Sequence, residues 1–177
     1  MMEKRVVIFC ASSDTIDPKY DRAARTLVEA LHRRGYTVVS GGGARGTMGA
    51  VTAESVRVNG RHVSVLPTFM RGRENPDVQE IVWTETMSER KEAMRADTCA
   101  AIALPGGIGT LDELMETHTL RKLHRYDGQV FALNIDGFYD PLKALLSHFA
   151  ATQMTAPEDI GLIRFPETVE ALLDELA

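Results

Sequence analysis

The sequence predicts an α/β fold: a doubly wound, Rossmann-like and mostly parallel sheet with helices on both faces. Three observations carry that expectation. Apolar runs of four to six residues alternate with longer stretches of helical period along the 177 residues. Most of the runs ("VVIF", "AIAL", "VFAL") are apolar on both faces, as strands buried between two helical layers must be. Glycine-rich stretches follow two of the runs directly, where a strand turns into a helix.

The elements follow in order. Residues 5–10 form the first strand. Asp17 and Pro18 then supply a cap and a proline at the first helical position, opening a helix that runs to about Arg34 and stops at Gly35. A strand at 37–40 leads into a helix over 47–58. Strands at 62–66 and 81–83 come next, followed by a helix over 88–96. The run 100–104 feeds a helix over 110–124. The run 130–134 feeds another over 141–151, where Asp140 and Pro141 repeat the cap-then-proline start. A short strand at 162–165 and a helix over 166–176 close the chain. No linker rich in Pro, Gly or Ser, no tandem repeat and no low-complexity tract interrupts this pattern. Residues 1–177 are therefore expected to form a single Rossmann-like nucleotide-binding domain, long enough to bury roughly 70% of its unfolded surface.

Composition narrows the function classes. Apolar residues make up 44% and charged residues 25% of the chain, which is ordinary for a globular protein. A formal charge of −5 argues against a general binder of nucleic acid or of membrane headgroups, which would carry a basic excess. Short basic pairs such as Arg33 with Arg34 and Arg121 with Lys122 fit a solvated helix face. The two cysteines, Cys10 and Cys99, lie at the edges of apolar runs and are expected to be buried, inert thiols in a reducing compartment. The apolar stretch in "MMEKRVVIFCASS" is too short for a signal peptide or membrane span, so a cytoplasmic location is expected.

Two glycine-rich turns are candidates for chemistry. In "SGGGARGTMGA" (40–50), Gly41, Gly43 and Gly46 spell G-x-G-x-x-G, the dinucleotide pattern. The turn follows the second strand, however, and the next strand ends without the acid that would hold an adenosine ribose. A tight strand-to-helix turn and a substrate-lining loop carrying Gly42 and Gly43 are the other two readings. The second turn is "LPGGIGTLDEL" (104–114). It is no Walker loop, yet Gly106, Gly107 and Gly109 would let backbone N–H groups approach an anion closely. The following helix adds unpaired N–H groups and a positive dipole end, and Thr110 offers a hydroxyl.

The carboxylates of that turn have a structural explanation too. Thr110-x-x-Glu113 has the spacing of a capping box, in which Glu113 folds back onto its own helix, and Asp112 suits the dipole. A capping glutamate would compete with a bound phosphate for the same positive end. Placing both makes more sense if anion and acid act on different parts of one ligand. In "TETMSERKEAM" (84–94), Arg90 and Lys91 fall early in a helix, where positive charge opposes the macrodipole and hints at an anionic partner. Met87 and Met94 are placed in the core or beside a base pocket. The five histidines show no metal spacing.

Taken together, "PGGIGTLDE" and "MSERKEAM", with "VVIFCASS", "SGGGARGTMG" and "ALNIDGFYDPL", resemble the Lonely Guy family, the cytokinin riboside 5′-monophosphate phosphoribohydrolases. The resemblance covers most of the chain. It implies hydrolysis of the N-glycosidic bond of a nucleoside 5′-monophosphate (a cytokinin riboside 5′-monophosphate, AMP or both) to free base and ribose 5-phosphate. It makes Arg90 and Glu113 the catalytic pair. Gly107, Ile108, Gly109, Thr110, Leu111 and Asp112 would contact the substrate along with Gly106, Lys91, Thr119 and Glu74. No metal or organic cofactor is implied, and a homodimer is, with the helices 88–96 and 110–124 as candidate surfaces. Two other classes share such a fold: a non-catalytic nucleotide or molybdenum-cofactor carrier, and a nicotinamide-dependent oxidoreductase. Retention of both Arg90 and Glu113 favours the hydrolase.

Overall fold

Each apolar run with β-branched content becomes a strand. These are β1 (Lys4–Phe9), β2 (Tyr36–Ser40), β3 (His62–Pro67), β4 (Glu80–Thr84), β5 (Thr98–Ala103), β6 (Gln129–Ala132) and β7 (Ile163–Arg164). The periodic segments between them become α1 (Pro18–Arg33), α2 (Gly46–Arg57), α3 (Met87–Arg95), α4 (Ile108–Lys122), α5 (Asp140–Ala151), α6 (Pro157–Ile160) and α7 (Val169–Glu175). They come from a computed structural model that describes residues 4–176. The first three residues of the N-terminal stretch, and Ala177, lie outside the described residues.

The strands form one sheet in the order β4-β3-β2-β1-β5-β6-β7, and every pairing is parallel. The chain winds outward from β1 to β4, crosses back to place β5 against the other side of β1, and winds outward again. The direction reverses between β1 and β5. There the loops leaving the carboxyl ends diverge and open a crevice, the usual ligand position in such sheets.

Alternation along the strands divides the core in two. Val6, Ile8, Val38, Ala100, Ile102 and Phe131 face one layer with Leu27 and Leu31 of α1, Val51 of α2 and Leu172 of α7. Val7, Phe9, Val39, Val65, Ala101 and Ala103 face the other with Met94 of α3, Leu114 of α4 and Leu146 of α5. Both faces of the central strands are thus dry, as their uninterrupted apolar sequence requires. Met94 belongs to this core and Met87 does not.

Four local expectations are revised. Cys10 is buried, but Cys99 is exposed. The register between β1 and β5 slips there, pairing Arg5 with Thr98 and Val6 with Ala100. Cys99 is the extra residue of that bulge and turns outward. Asp17 does cap α1, accepting from the Lys19 N–H at 2.9 Å, whereas Asp140 is the first residue of α5 rather than its cap. Its carboxylate instead accepts from the Asn134 side-chain amide at 2.9 Å. The last helix opens at Thr168, whose hydroxyl accepts from the Ala171 N–H, and not at Pro166. Two 3₁₀ turns, Thr68–Met70 and Ile135–Gly137, and the short α6 were not expected from the sequence. Among the described residues no helix is long and apolar enough to cross a membrane.

Candidate active site

A cavity of about 380 Å³ opens in the crevice between β1 and β5. Its walls come from segments scattered along the sequence. The loop after β1 contributes Cys10 to Ser13, and the loop after β2 contributes Gly41 and Gly43. Gly107, Ile108, Gly109 and Thr110 come from the turn after β5, Met87 and Arg90 from α3, and Glu113 from α4. Met48 and Met70 complete an apolar side together with Met87. A larger hollow of about 690 Å³ lies between α3 and α4 near Arg95, Asp97 and Arg125. Neither glycine-rich turn reaches it, so the chemistry points to the smaller cavity.

Arg90 and Glu113 form the wall of that cavity as a buried ion pair. Arg90 Nη1 donates to Glu113 Oε1 at 3.1 Å, and both residues are less than a tenth exposed. Arg90 Nε donates to the carbonyl of Val65 at the end of β3, at 2.9 Å. A Cβ added to Gly41 would lie 2.3 Å from Arg90 Nη2, so only glycine lets the guanidinium lie against that loop. The helix carrying Arg90 starts where it does because Thr86 and Glu89 make a capping box: the Thr86 hydroxyl accepts from the Glu89 N–H, and the Glu89 carboxylate from the Thr86 N–H. Burial pushes the Glu113 carboxyl above the ordinary glutamate value, and the facing Arg90 charge offsets part of that rise.

The capping box whose spacing Thr110 and Glu113 share is therefore not formed. The helix begins two residues earlier, at Ile108, so Thr110 is already inside it. Its cap is Gly107, which offers no side-chain acceptor. The first N–H groups of α4 consequently have no cap from their own helix and sit beside the cavity. Gly106 packs directly on Thr110, whose Oγ1 would be 2.2 Å from an added Cβ, while Gly107 and Gly109 face open space.

The loop after β2 is braced from behind. Gly42, at φ +69°, lies against Ser64 and Leu66, and its carbonyl accepts from the Asn75 N–H at 2.9 Å. The Ser40 hydroxyl meets His62 Nε2 at 2.8 Å. Glu74 pairs by its backbone with Gly43, but its carboxylate accepts from the Gly72 N–H at 2.6 Å and does not line the cavity.

Of the residues singled out from the sequence, Arg90, Glu113, Gly43, Gly107, Ile108, Gly109 and Thr110 come together around the cavity. Gly42 and Gly106 support its loops from behind. Lys91, Leu111, Asp112 and Thr119 face an outer hollow of about 570 Å³ together with Met115, Glu116 and Leu120, and Ile108 borders both it and the cavity. Lys91 is held there between Asp112 at 3.0 Å and Glu116 at 2.9 Å. Arg95 adds a further rung to Glu116 at 3.2 Å. Sequence reasoning missed Cys10, Met48 and Met70 as lining residues. They come from three different elements, and no spacing links them. Among the described residues no group of three or more His, Cys, Asp or Glu could hold a metal ion.

Comparison with known proteins adds findings of three kinds. The family model described as "possible lysine decarboxylase" matches residues 48–176. A Mycobacterium marinum protein named cytokinin riboside 5′-monophosphate phosphoribohydrolase is 40% identical over 149 residues, covering 83% of this chain and 79% of that protein. An Arabidopsis thaliana protein of the same name is 37% identical over 186 residues, covering 98% and 85%. Among solved structures, the molybdenum cofactor carrier protein of Chlamydomonas reinhardtii superposes with a TM-score of 0.75 at 16% identity, covering 98% of this chain and 95% of that one. The molybdenum cofactor binding protein of Rippkaea orientalis also gives 0.75, at 18% identity with the same coverage. These structural likenesses establish the fold.

Proposed function

Since the chain belongs to the Lonely Guy family of cytokinin riboside 5′-monophosphate phosphoribohydrolases, we propose that it hydrolyses the N-glycosidic bond of a nucleoside 5′-monophosphate. Water adds to the anomeric carbon, the bond to the base breaks, and the products are free base and ribose 5-phosphate. The substrate is a cytokinin riboside 5′-monophosphate, AMP or both. One observation carries this reading: a buried carboxylate, held by an arginine, faces the same cavity as an uncapped helix N-terminus.

The two features divide the work. The N–H groups at Gly107 to Thr110, at the positive end of α4, hold the 5′-phosphate. Charge-assisted bonds of this kind contribute roughly 1.5–3 kcal/mol each. Glu113 faces the ribose, where breaking the bond to the base builds positive charge on the sugar. An ionised carboxylate there stabilises the oxocarbenium-like transition state and aligns the attacking water. Arg90 has its Nε on Val65 and its Nη1 on Glu113, so it keeps the carboxylate ionised and aimed. The base lies toward the thioethers of Met48, Met70 and Met87, a yielding apolar surface.

Residues 1–177 act in this reading as one nucleotide-binding domain. The protein works in the cytoplasm, consistent with two free thiols, and as a homodimer. Ile108 and Leu111 support the latter, because they leave an apolar row exposed on α4. Incubation with AMP and with N6-substituted AMP, followed by chromatography, tests the reaction. Free base and ribose 5-phosphate should appear in equal amounts. Bound nucleotide with no release of base would replace the hydrolase by a carrier.

A further inference from the structure

The turn after β5 must present several N–H groups in fixed directions, yet Gly106, Gly107 and Gly109 leave its backbone little restrained by side chains. Something outside the turn has to hold it. Leu104 lies just past the end of the strand ladder: its N–H still bonds to the Phe9 carbonyl at 2.9 Å, but its own carbonyl lies beyond the last paired residues, Phe9 with Ala103 and Ala103 with Ala132. That carbonyl belongs to a fully buried residue and would lack a partner without help. The help comes from 35 residues downstream, where the Tyr139 hydroxyl donates to Leu104 O at 2.7 Å.

Tyr139 is itself held from all sides. Its N–H donates to Asn134 Oδ1 at 2.7 Å, and the Asn134 amide reaches Asp140. The Asn134 N–H bonds to Pro166 O at 2.7 Å. Its ring lies edge-on to Phe138, with centroids 5.0 Å apart, and meets Phe165 at 6.4 Å. The residue is 5% exposed, and burial pushes the phenol well above its usual range, so it remains a hydrogen-bond donor at any working pH.

The next residue, Pro105, has its φ locked by the ring. Once the Leu104 carbonyl is pinned, the direction in which the chain enters Gly106 is therefore largely set. At the far side of the turn, Thr110 packs on Gly106. We propose that Tyr139 is a positioning residue for the phosphate-binding turn, acting through the Leu104 carbonyl to aim the N–H groups at Gly107 to Thr110. It touches no substrate. The idea rests on the function proposed above only in naming what the turn holds.

Tyr139→Phe tests it, because the ring and its aromatic contacts stay while the single hydrogen bond is lost. The phosphate anchor should weaken and the chemistry should not. KM for the nucleoside 5′-monophosphate should rise about tenfold with kcat little changed, because one hydrogen bond to a buried carbonyl is lost. Turnover of the corresponding nucleoside, which has no phosphate, should be unaltered, so the preference for monophosphate falls by the same factor. Binding of ribose 5-phosphate, measured by calorimetry, should weaken about tenfold as well. This second readout needs no turnover and stands even if the protein releases no base. An unchanged preference and unchanged ribose 5-phosphate binding in a folded Tyr139→Phe protein would overturn the proposal. Should that variant fail to fold, Asn134→Ala, which loosens the Tyr139 backbone and leaves the phenol in place, is expected to shift both readouts the same way. Wild-type binding by that variant would overturn the proposal equally.

Discussion

Replacing Glu113 by Gln removes one negative charge from the cavity and leaves its shape unchanged. The amide oxygen can still accept from Arg90 Nη1, now 3.1 Å from Glu113 Oε1, so the local packing should hold. What disappears is the attraction between the carboxylate and the positive charge that grows on the ribose. Glu113 is 8% exposed, a setting in which an effective dielectric of about 20 applies, and two charges about 4 Å apart then interact by about 4 kcal/mol. At about 1.4 kcal/mol per decade, kcat should fall about 10³-fold. In the proposed arrangement the phosphate sits elsewhere, on N–H groups of α4, so affinity for ribose 5-phosphate should be unchanged or slightly higher, because the Arg90 charge is no longer neutralised. Steady-state release of base and calorimetric titration with ribose 5-phosphate measure the two quantities separately. A Glu113→Gln protein with kcat within tenfold of wild type would refute the argument and leave Glu113 as a structural partner of Arg90.

Other consequences are open to measurement. In the proposed reaction Glu113 works ionised, and burial raises its pKa. The acid limb of kcat/KM should therefore lie above the ordinary glutamate value, with activity lost as pH falls through that limb. Arg90→Met removes the compensating charge and should move the limb to still higher pH; an unmoved limb would dissociate it from this pair. Gly41→Ala brings a Cβ to 2.3 Å from Arg90 Nη2. Displacing the guanidinium by about an ångström should cost on the order of 10²-fold in kcat with the fold intact by circular dichroism. Lys91→Met should act mainly on stability, since Lys91 faces the outer hollow, with a small upward move of the acid limb because its charge also lowers the Glu113 pKa. Partly exposed pairs contribute about 0.2–1 kcal/mol, so Tm should drop by a few degrees with KM unchanged. A large rise in KM would put Lys91 on the substrate.

The sequence carried the fold almost completely, because strands dry on both faces leave a distinct signature and proline or glycine marks several of the helix ends, as at Pro18, Gly35 and Pro141. Its limits were local. Thr110 and Glu113 have capping-box spacing, but α4 starts at Ile108, and a shift of two residues turns Glu113 from a cap into the partner of Arg90. The real box, Thr86 with Glu89, lies on the neighbouring helix with the same spacing. Spacing alone cannot say which of two identical patterns finds its helix start. The resemblance set Lys91 on the substrate next to the catalytic Arg90, yet adjacent residues on a helix point about 100° apart, and here Arg90 lines the cavity while Lys91 lines the outer hollow. Cys99 was misjudged because a bulge has no sequence mark. The Met48, Met70 and Met87 side of the cavity, and the reach of Tyr139 to Leu104, join residues by tertiary contact, which no local pattern encodes.

A crystal structure of the Glu113→Gln protein soaked with AMP would probe the arrangement most directly, since the substrate should bind and persist. The phosphate is expected within hydrogen-bond reach of the N–H groups at Gly107 to Thr110, with the anomeric carbon facing the side chain at position 113. A phosphate bound in the outer hollow beside Lys91, or an anomeric carbon turned away from residue 113, would contradict the account.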